Sequence, residues 1–465
     1  MQKNERSAIL GTMPMEKLVP KVSIPIMVSM LVQALYNVVD SIFVSRFDPN
    51  GLTSVSLAYP FQMLIVALSV GMGTGVNSLL SRRLGQRRPA EARRAAWNGL
   101  AIEAAGSLIF VFTGLFLSGT LMRLVVSDNL MNAENIMKMG TDYLSIVCTF
   151  STGVFMAVYF ERCLQATGNT MLSMVTQMAG ALTNIILDPI MIFGYFGFPQ
   201  MGVSGAAVAT VIGQWVSALV GFMLNQRKNP ELRLSSDEFR IFRGDIMDIV
   251  AVGLPSTVMS AIGSVMNLGM NGILSGFAES NAALNVLAVY FKLQSFIFMP
   301  VFGLSNGIIA IIGYNFGAKL KERVYRCIKV ALIWAAVIML AGTAVFMLFP
   351  GTLMSIFESD AEAALTAQMT QIGVVAMRVI SSSFIFAAVG IVLSTVFQAV
   401  GRGMYSMIMS ISRQLAILLP VAWLVGRLTG SVYLVWWCFP IAEAVSLVIC
   451  LLFFRKCNRE MLATL

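Results

Sequence analysis

Segments of about twenty or more apolar residues follow one another along almost the entire chain, separated only by short polar stretches. A helix needs about 20 such residues to cross the hydrocarbon core of a bilayer. In lipid every backbone N–H and C=O must be satisfied within the segment or a closed barrel. The alternation of a barrel strand is missing, so the spans read as helices. Of the 465 residues 57% are hydrophobic and only 12% charged, where a soluble domain is nearer a quarter charged. The expected fold class is therefore an all-α polytopic membrane protein. We count twelve spans, near 18–46, 52–82, 94–120, 136–160, 169–195, 203–225, 246–275, 283–313, 326–349, 362–399, 405–426 and 432–454.

The same residues exclude several functions. There is no histidine, which removes a His-based triad, a His-ligated metal site and the usual proton switch near neutral pH. Walker A and Rossmann fingerprints are missing, so neither an enzyme nor an ATP-driven pump is expected, and no cofactor is implied. The six cysteines are scattered without a CxxC pair and read as small buried hydrophobes. The opening "MQKNERSAILGTMPMEKLVPK" lacks the pattern of a cleavable signal peptide.

Charge sets the expected topology. Cations crowd the N-terminus, the loops after even-numbered spans and the C-terminus, as in "SRRLGQRRPAEARR" (81–94), "NQRKNPELRLSSDEFRIFR" (225–243), "AKLKERVYR" (318–326) and "FRKCNR" (454–459). The opposite loops carry few: Arg46, Arg123, Lys138 and Arg427. The positive-inside rule then places both termini in the cytoplasm, with the chain in the cell (inner) membrane. The net charge of +9 reads as topogenic, lipid-facing loops rather than a nucleic-acid surface.

The chain also repeats itself. "GMGTGVNSLLSRRLGQR" from Gly71 and "GLSNGIIAIIGYNFGAK" from Gly303 align Gly71, Gly75 and Gly85 with Gly303, Gly307 and Gly317 at an offset of 232. "QATGNTMLSM" from Gln165 pairs with "QAVGRGMYSM" from Gln398 at 233, and "LYNVVDSIFVSRF" (35–47) with "VMNLGMNGILSGF" (265–277) at 230. Glycines that let helices pack closely do not explain a near-constant offset. The expectation is an N-terminal lobe of six spans (1–225), a cytoplasmic linker (226–245) and a C-terminal lobe of six spans (246–465). An even number of spans per repeat relates the lobes by an axis along the membrane normal, with a pathway between them.

Polar side chains within the spans are the candidate site. Gln33, Tyr36, Asn37 and Asp40 share one face of the first span, and Gln177, Asn184 and Asp188 form a stripe on the fifth. At 1.5 Å per residue Asp40 and Asp188 lie at similar depth, roughly 30 Å from the cytoplasmic end. An ionised carboxylate in hydrocarbon needs a partner, yet no basic residue of this half is expected at that depth. Two neighbouring desolvated carboxylates can hold a proton between them, or share a small cation with Asn184. The alternative is that one or both are ordinary charges at the outer water interface. The second half lacks the set: Met270 stands at the place of Asp40, and the segment around Leu419 replaces that around Asp188. It carries the cations Lys292, Arg378 and Arg413 instead. One reading of Arg413 is that it snorkels to the cytoplasmic edge; Lys292 either pairs with an acid or touches substrate. Glu161 with Arg162 reads as a charge pair at a helix end. Glu103 and Glu443 look embedded and carry no assigned role. Pro25 and Pro189 are expected to weaken their helices locally, as kinks that are either static or mobile.

These stretches resemble the multidrug and toxic compound extrusion (MATE) family over nearly the whole chain. The resemblance rests on "LYNVVDSIFVSR", "GMGTGVNSLLSRRLG", "LQATGNT", "NIILDPI", "GVSGAAVATVIGQ" and "FGLSNGIIAIIGYNFGA". It implies the MATE, or MOP flippase-like, fold of two pseudo-symmetric six-helix lobes around a central cleft. It also implies secondary active export of drugs and other organic cations in exchange for H+ or Na+ by alternating access, here expected of a monomer. The family's first-lobe cation site, where the coupling ion or a Na+ would bind, matches Asp40, Asn184 and Asp188, with Gln33, Tyr36 and Asn37 around it and Thr210 as its sixth-helix threonine. Members with a second-lobe acidic site carry a glutamate where this chain has Gly263. "FKLQSFIFMPVFGLSN", which contains Lys292, looks similar to a MepA-like branch. A flippase of a lipid-linked precursor, on a related fold with a strongly cationic cleft, is the alternative function.

Overall fold

The computed structural model describes residues 7–126, 132–235, 239–356 and 363–465. The first residue assigned to the tenth span, 362, and part of the linker, 236–238, lie outside them. No strand occurs among the described residues.

Helices α1 (Ala8–Thr12), α2 (Met15–Phe47), α3 (Pro49–Gly85), α4 (Pro89–Phe116), α5 (Ser118–Val125), α6 (Ala133–Thr149), α7 (Thr152–Ala166), α8 (Thr170–Phe193) and α9 (Val203–Lys228) make up the first half. The second half contains α10 (Arg243–Leu274), α11 (Ser280–Gly317), α12 (Lys321–Leu348), α13 (Pro350–Ser355), α14 (Ala363–Ser381), α15 (Phe384–Ala399), α16 (Gly403–Ile411), α17 (Leu419–Thr429), α18 (Val432–Val435) and α19 (Cys438–Cys457). Among the described residues ten helical stretches are long and apolar enough to cross a membrane unaided. Two more spans are broken pairs: α6 with α7, bent by 44°, and α14 with α15, bent by 49°. Counting each pair once gives the twelve spans expected, and the two bent ones are the fourth and the tenth, the same place in each half.

Local sequence explains several of these boundaries. A single residue, Asp48, joins α2 to α3; its Oδ1 accepts from the backbone N–H of Asn50 at 2.8 Å, with Pro at the first helical position of α3. Gly168 and Gly401, partners in the repeat, each turn the chain after a span at φ +78° and +87°, a conformation that only glycine adopts freely. Pro25 does not interrupt α2, nor Pro189 α8; both helices run on through them.

The halves meet along α2 and α3 on one side and α10 and α11 on the other. The repeated glycines stand at this seam. A Cβ on Gly85 would lie 2.0 Å from the Tyr314 carbonyl oxygen, and one on Gly317 2.2 Å from that of Arg82. Gly75 abuts Ile249, Gly307 abuts Ser23, Gly71 abuts Thr257 and Gly303 abuts Met27. The constant offset thus reflects one contact used twice, each half offering the same glycines to the other.

The seam is closed at the cation-rich end. There Ser78 donates to the Gln398 carbonyl at 2.7 Å, and Asn315 Nδ2 and Arg323 Nη2 donate to the Leu10 carbonyl at 2.9 and 3.1 Å. Asp245, in the first turn of α10 with its side chain fully buried, pairs with Arg94 of α4 at 2.8 Å, with Arg83 of α3 at 3.6 Å. Arg94 also covers the Phe242 ring at 4.2 Å. A continuous apolar core spans both halves here, from Leu10 and Leu84 to Ile249 and Ile312. A separate core, including Val44, Ala58, Ile65, Tyr143 and Ile192, belongs to the first half alone. Arg94→Ala would leave the buried Asp245 carboxylate with only its longer contact to Arg83. We expect a loss of about 3 kcal/mol, read as a lowered midpoint of thermal unfolding in detergent; an unchanged midpoint would mean that the pair contributes nothing.

Candidate functional site

Helix α8 brings Asn184 and Asp188, one turn apart, to face α9. Asn184 Nδ2 donates to Asp188 Oδ1 at 3.1 Å and lies 3.3 Å from Thr210 Oγ1 on α9. Close packing of the two helices allows this: Gly180 and Gly213 meet backbone to backbone, a Cβ on either lying 2.8 Å from the other's carbonyl oxygen. Asp188 is fully buried, and Asn184 and Thr210 are almost so.

Helix α2 packs on α8 and brings Asp40 and Tyr36 to the same place. Asp188 lies within electrostatic reach of Asp40, and Tyr36, one turn before Asp40 on α2, lies within reach of both acids. Asp188 is fully buried, and Asp40 is partly buried with its Oδ1 enclosed, so the two acids share one region of the first half. Asp40 Oδ1, Asp188 Oδ2 and Asn184 Oδ1 are buried oxygens without a hydrogen-bond donor among the described residues. A set of oxygen acceptors lacking donors is chemically suited to a proton or a hard cation. The Asn37 side chain lies outside the described residues.

The spacing rules missed Tyr143 and Gln62. Tyr143 of α6 is buried, interacts electrostatically with Asp40, Tyr36 and Asp188, and donates to Gln62 Oε1 of α3 at 3.2 Å. "MGTDYLSIV" carries no sign of this; the residue reaches the site only through the packing of α6 against α3.

Other expectations change. Gln177 does not join Asn184 and Asp188: its Nε2 donates to Glu161 Oε2 at 2.6 Å, roughly 16 Å further along α8 toward the cation-rich end. Glu161 and Arg162 lie in the last turns of α7, and both are buried, 7% and 5% exposed. Arg413 does not snorkel. It forms an ion pair with Glu443 of α19 at 2.8 Å, at the start of a π-helical turn (Ser412–Leu418) between α16 and α17, so these two embedded charges of the second half neutralise each other. Lys292 lies on the exposed side of α11, and Arg378 is exposed on α14 near its break with α15. At Gly263 the nearest neighbour of a Cβ would be Gln414 Oε1 at 3.9 Å, with no acid in the place where a second-lobe site would need one.

Twelve apolar spans in two matched bundles, with a polar set enclosed in one of them, define a membrane transporter rather than an enzyme. The chain belongs to the MatE family, whose profile matches residues 25–190 and 255–424. It is similar to the multidrug export protein MepA of Staphylococcus haemolyticus, 26% identical over 425 residues covering 91% of this chain and 89% of that one. It is also similar to the probable multidrug resistance protein NorM of Thermotoga maritima, 25% identical over 88% of this chain and 85% of that one. Among solved structures it matches the outward-facing conformation of a multidrug resistance MATE family transporter of the MOP superfamily, with a TM-score of 0.88, 25% identity and 98% of both chains covered.

Proposed function

We propose that this protein is a secondary active exporter of organic, mostly cationic, compounds, exchanging them for H+ or Na+ by alternating access. The observation that carries this reading is the Asp40–Asp188 pair, in which Asp40 Oδ1 and Asp188 Oδ2 are buried without a donor among the described residues. A positive ion arriving there neutralises a buried negative charge. It thereby changes the relative stability of the states open to either side, and substrate and ion become coupled through that change. The similarity to a multidrug export protein, MepA, and a probable multidrug resistance protein, NorM, points to drugs as the substrates. Two units would move against each other, residues 1–225 and 246–465, joined by 226–245. With the cation-rich loops in the cytoplasm, the seal at that end corresponds to an outward-facing arrangement in the cell membrane. No cofactor beyond the coupling ion is needed.

The test is efflux of a fluorescent organic cation from proteoliposomes under separately imposed proton and sodium gradients. One gradient should drive efflux, and collapsing it should stop it. A protein that moves no dye under either gradient but flips a phosphorylated lipid would be a lipid-precursor flippase instead. The mutually paired Arg413 and Glu443 do not favour that alternative, which needs free positive charge for a phosphate headgroup.

A further inference from the structure

A second group of charges is buried in the first half, nearer the cation-rich end than the Asp40–Asp188 pair. Glu103 lies roughly 21 Å along α4 from Pro89. It is 0% exposed, and neither of its carboxylate oxygens has a hydrogen-bond partner among the described residues. Its charged neighbour is Arg162 of α7. Arg162 interacts with Glu103 and with the adjacent Glu161, and its Nη1 donates to Gln165 Oε1 at 2.8 Å. Packing holds it in place: a Cβ on Gly73 of α3 would come within 3.0 Å of its side chain. Glu161 is served by Gln177. The other titratable neighbours are Tyr159, whose hydroxyl donates to the Ala96 carbonyl at 2.8 Å, and Cys163.

The charges do not balance. Two buried carboxylates face one buried guanidinium, which leaves one negative charge without a counterpart in a membrane interior. Such a charge is costly unless a proton or a cation joins it. Glu161 accepts from Gln177 and Arg162 donates to Gln165, although Arg162 Nε and Gln177 Oε1 have no partner among the described residues. Glu103 has a donor on neither oxygen, so the deficit falls on it.

Position connects this cluster to the outer acids. One turn beyond Glu103, Ser107 accepts from the Thr152 hydroxyl at 3.2 Å. Beside it the Ser151 hydroxyl is buried without a partner. Ser151 and Thr152 stand at the break between α6 and α7. Helix α6 carries Tyr143 to the outer site and α7 carries Glu161 and Arg162 to the inner one, and these three hydroxyls stand at the bend between them.

We propose that Glu103 is the ion-holding carboxylate of a second, inner site, taking the same monovalent cation, proton or sodium, as the Asp40–Asp188 pair and handing it toward the cation-rich end. The proposal rests on the antiport reading above. Its test is the number of ions moved per dye, measured in proteoliposomes from the ion gradient at which net dye flux reverses, with proton and sodium arms run separately on the wild type, Glu103→Gln, Glu103→Asp and Asp40→Asn. In whichever arm drives transport, Glu103→Gln should move one ion fewer per dye, and Glu103→Asp, which keeps the carboxylate, should retain the wild-type ratio. A side chain with a merely structural role would change the rate and leave the ratio alone. An unchanged ratio in Glu103→Gln, or an equally lowered one in Glu103→Asp, overturns the inner site and leaves the antiport reading in place. Wild-type dye flux that follows neither gradient overturns the antiport reading, and the inner site with it; wild-type ion movement by Asp40→Asn removes the outer pair from ion binding and overturns the hand-over between the two sites.

Discussion

Asp40→Asn is expected to lower gradient-driven export of an organic cation by roughly 5- to 150-fold, the range that corresponds to a typical coupling free energy of 1–3 kcal/mol, while the protein still folds. The substitution keeps the size of the side chain and removes its charge. With the charge gone, ion binding no longer discriminates between the states open to either side, so the gradient loses its hold on the conformational change. Folding should survive because the wild-type Asp40 Oδ1 has no donor among the described residues; removing a buried charge that lacks a partner does not strand another group. The separation of the two effects is the content of the prediction. Thermal unfolding in detergent should show a midpoint equal to or above that of the wild type, while the flux assay shows the loss. Full export by Asp40→Asn would remove the carboxylate pair from the mechanism; a variant that is both inactive and unfolded would make Asp40 a structural residue.

Valine at Gly85 and Gly317 together should prevent the cation-rich end from closing. At both positions the obstacle is a backbone carbonyl oxygen of the opposite half, 2.0 and 2.2 Å from where a Cβ would sit, and no rotamer change can relieve it. Either the halves separate at the seam or the helices distort. The expected loss of stability is about 1–3 kcal/mol for each overpacked site. The more telling readout is access. Ser78 donates across the seam to Gln398, and all six native cysteines are buried, so Ser78→Cys provides a reporter thiol with little background. It should react slowly with a water-soluble maleimide in the otherwise native protein and several times faster with both valines present. Equal rates would mean that these glycines do not control the seam.

Much of this architecture could be read from the residues in order. Hydropathy gave the twelve crossings, because a bilayer imposes one length on every span. The offset between Gly71 and Gly303 revealed the repeat, and the structure gives its cause in the paired contacts of the seam. The two acids were visible because a carboxylate in a greasy helix is rare and its depth can be counted in residues. What stayed hidden was every feature set by how far a helix bends or turns before it meets a neighbour. Tyr143 reaches the site because α6 packs on α3, where its hydroxyl meets Gln62. Gln177 shares a helical face with Asn184 and Asp188, yet it lies three turns away and meets Glu161. Arg413 and Glu443 are 30 residues apart on different helices, and only packing makes them an ion pair.

The amino-acid sequence by itself determined that the chain lives in lipid, crosses it twelve times, is built from two copies of one pattern, and carries the acids Asp40 and Asp188 in the first copy without counterparts in the second. These follow from free energies of transfer and from periodicity, both of which are local and add along the chain. The tertiary structure alone decided which polar atoms lack a donor, which buried charges cancel, and at which end the halves are sealed. Each of those depends on the distance between atoms on different helices, and a hydrogen bond or an ion pair is made or lost over about an ångström.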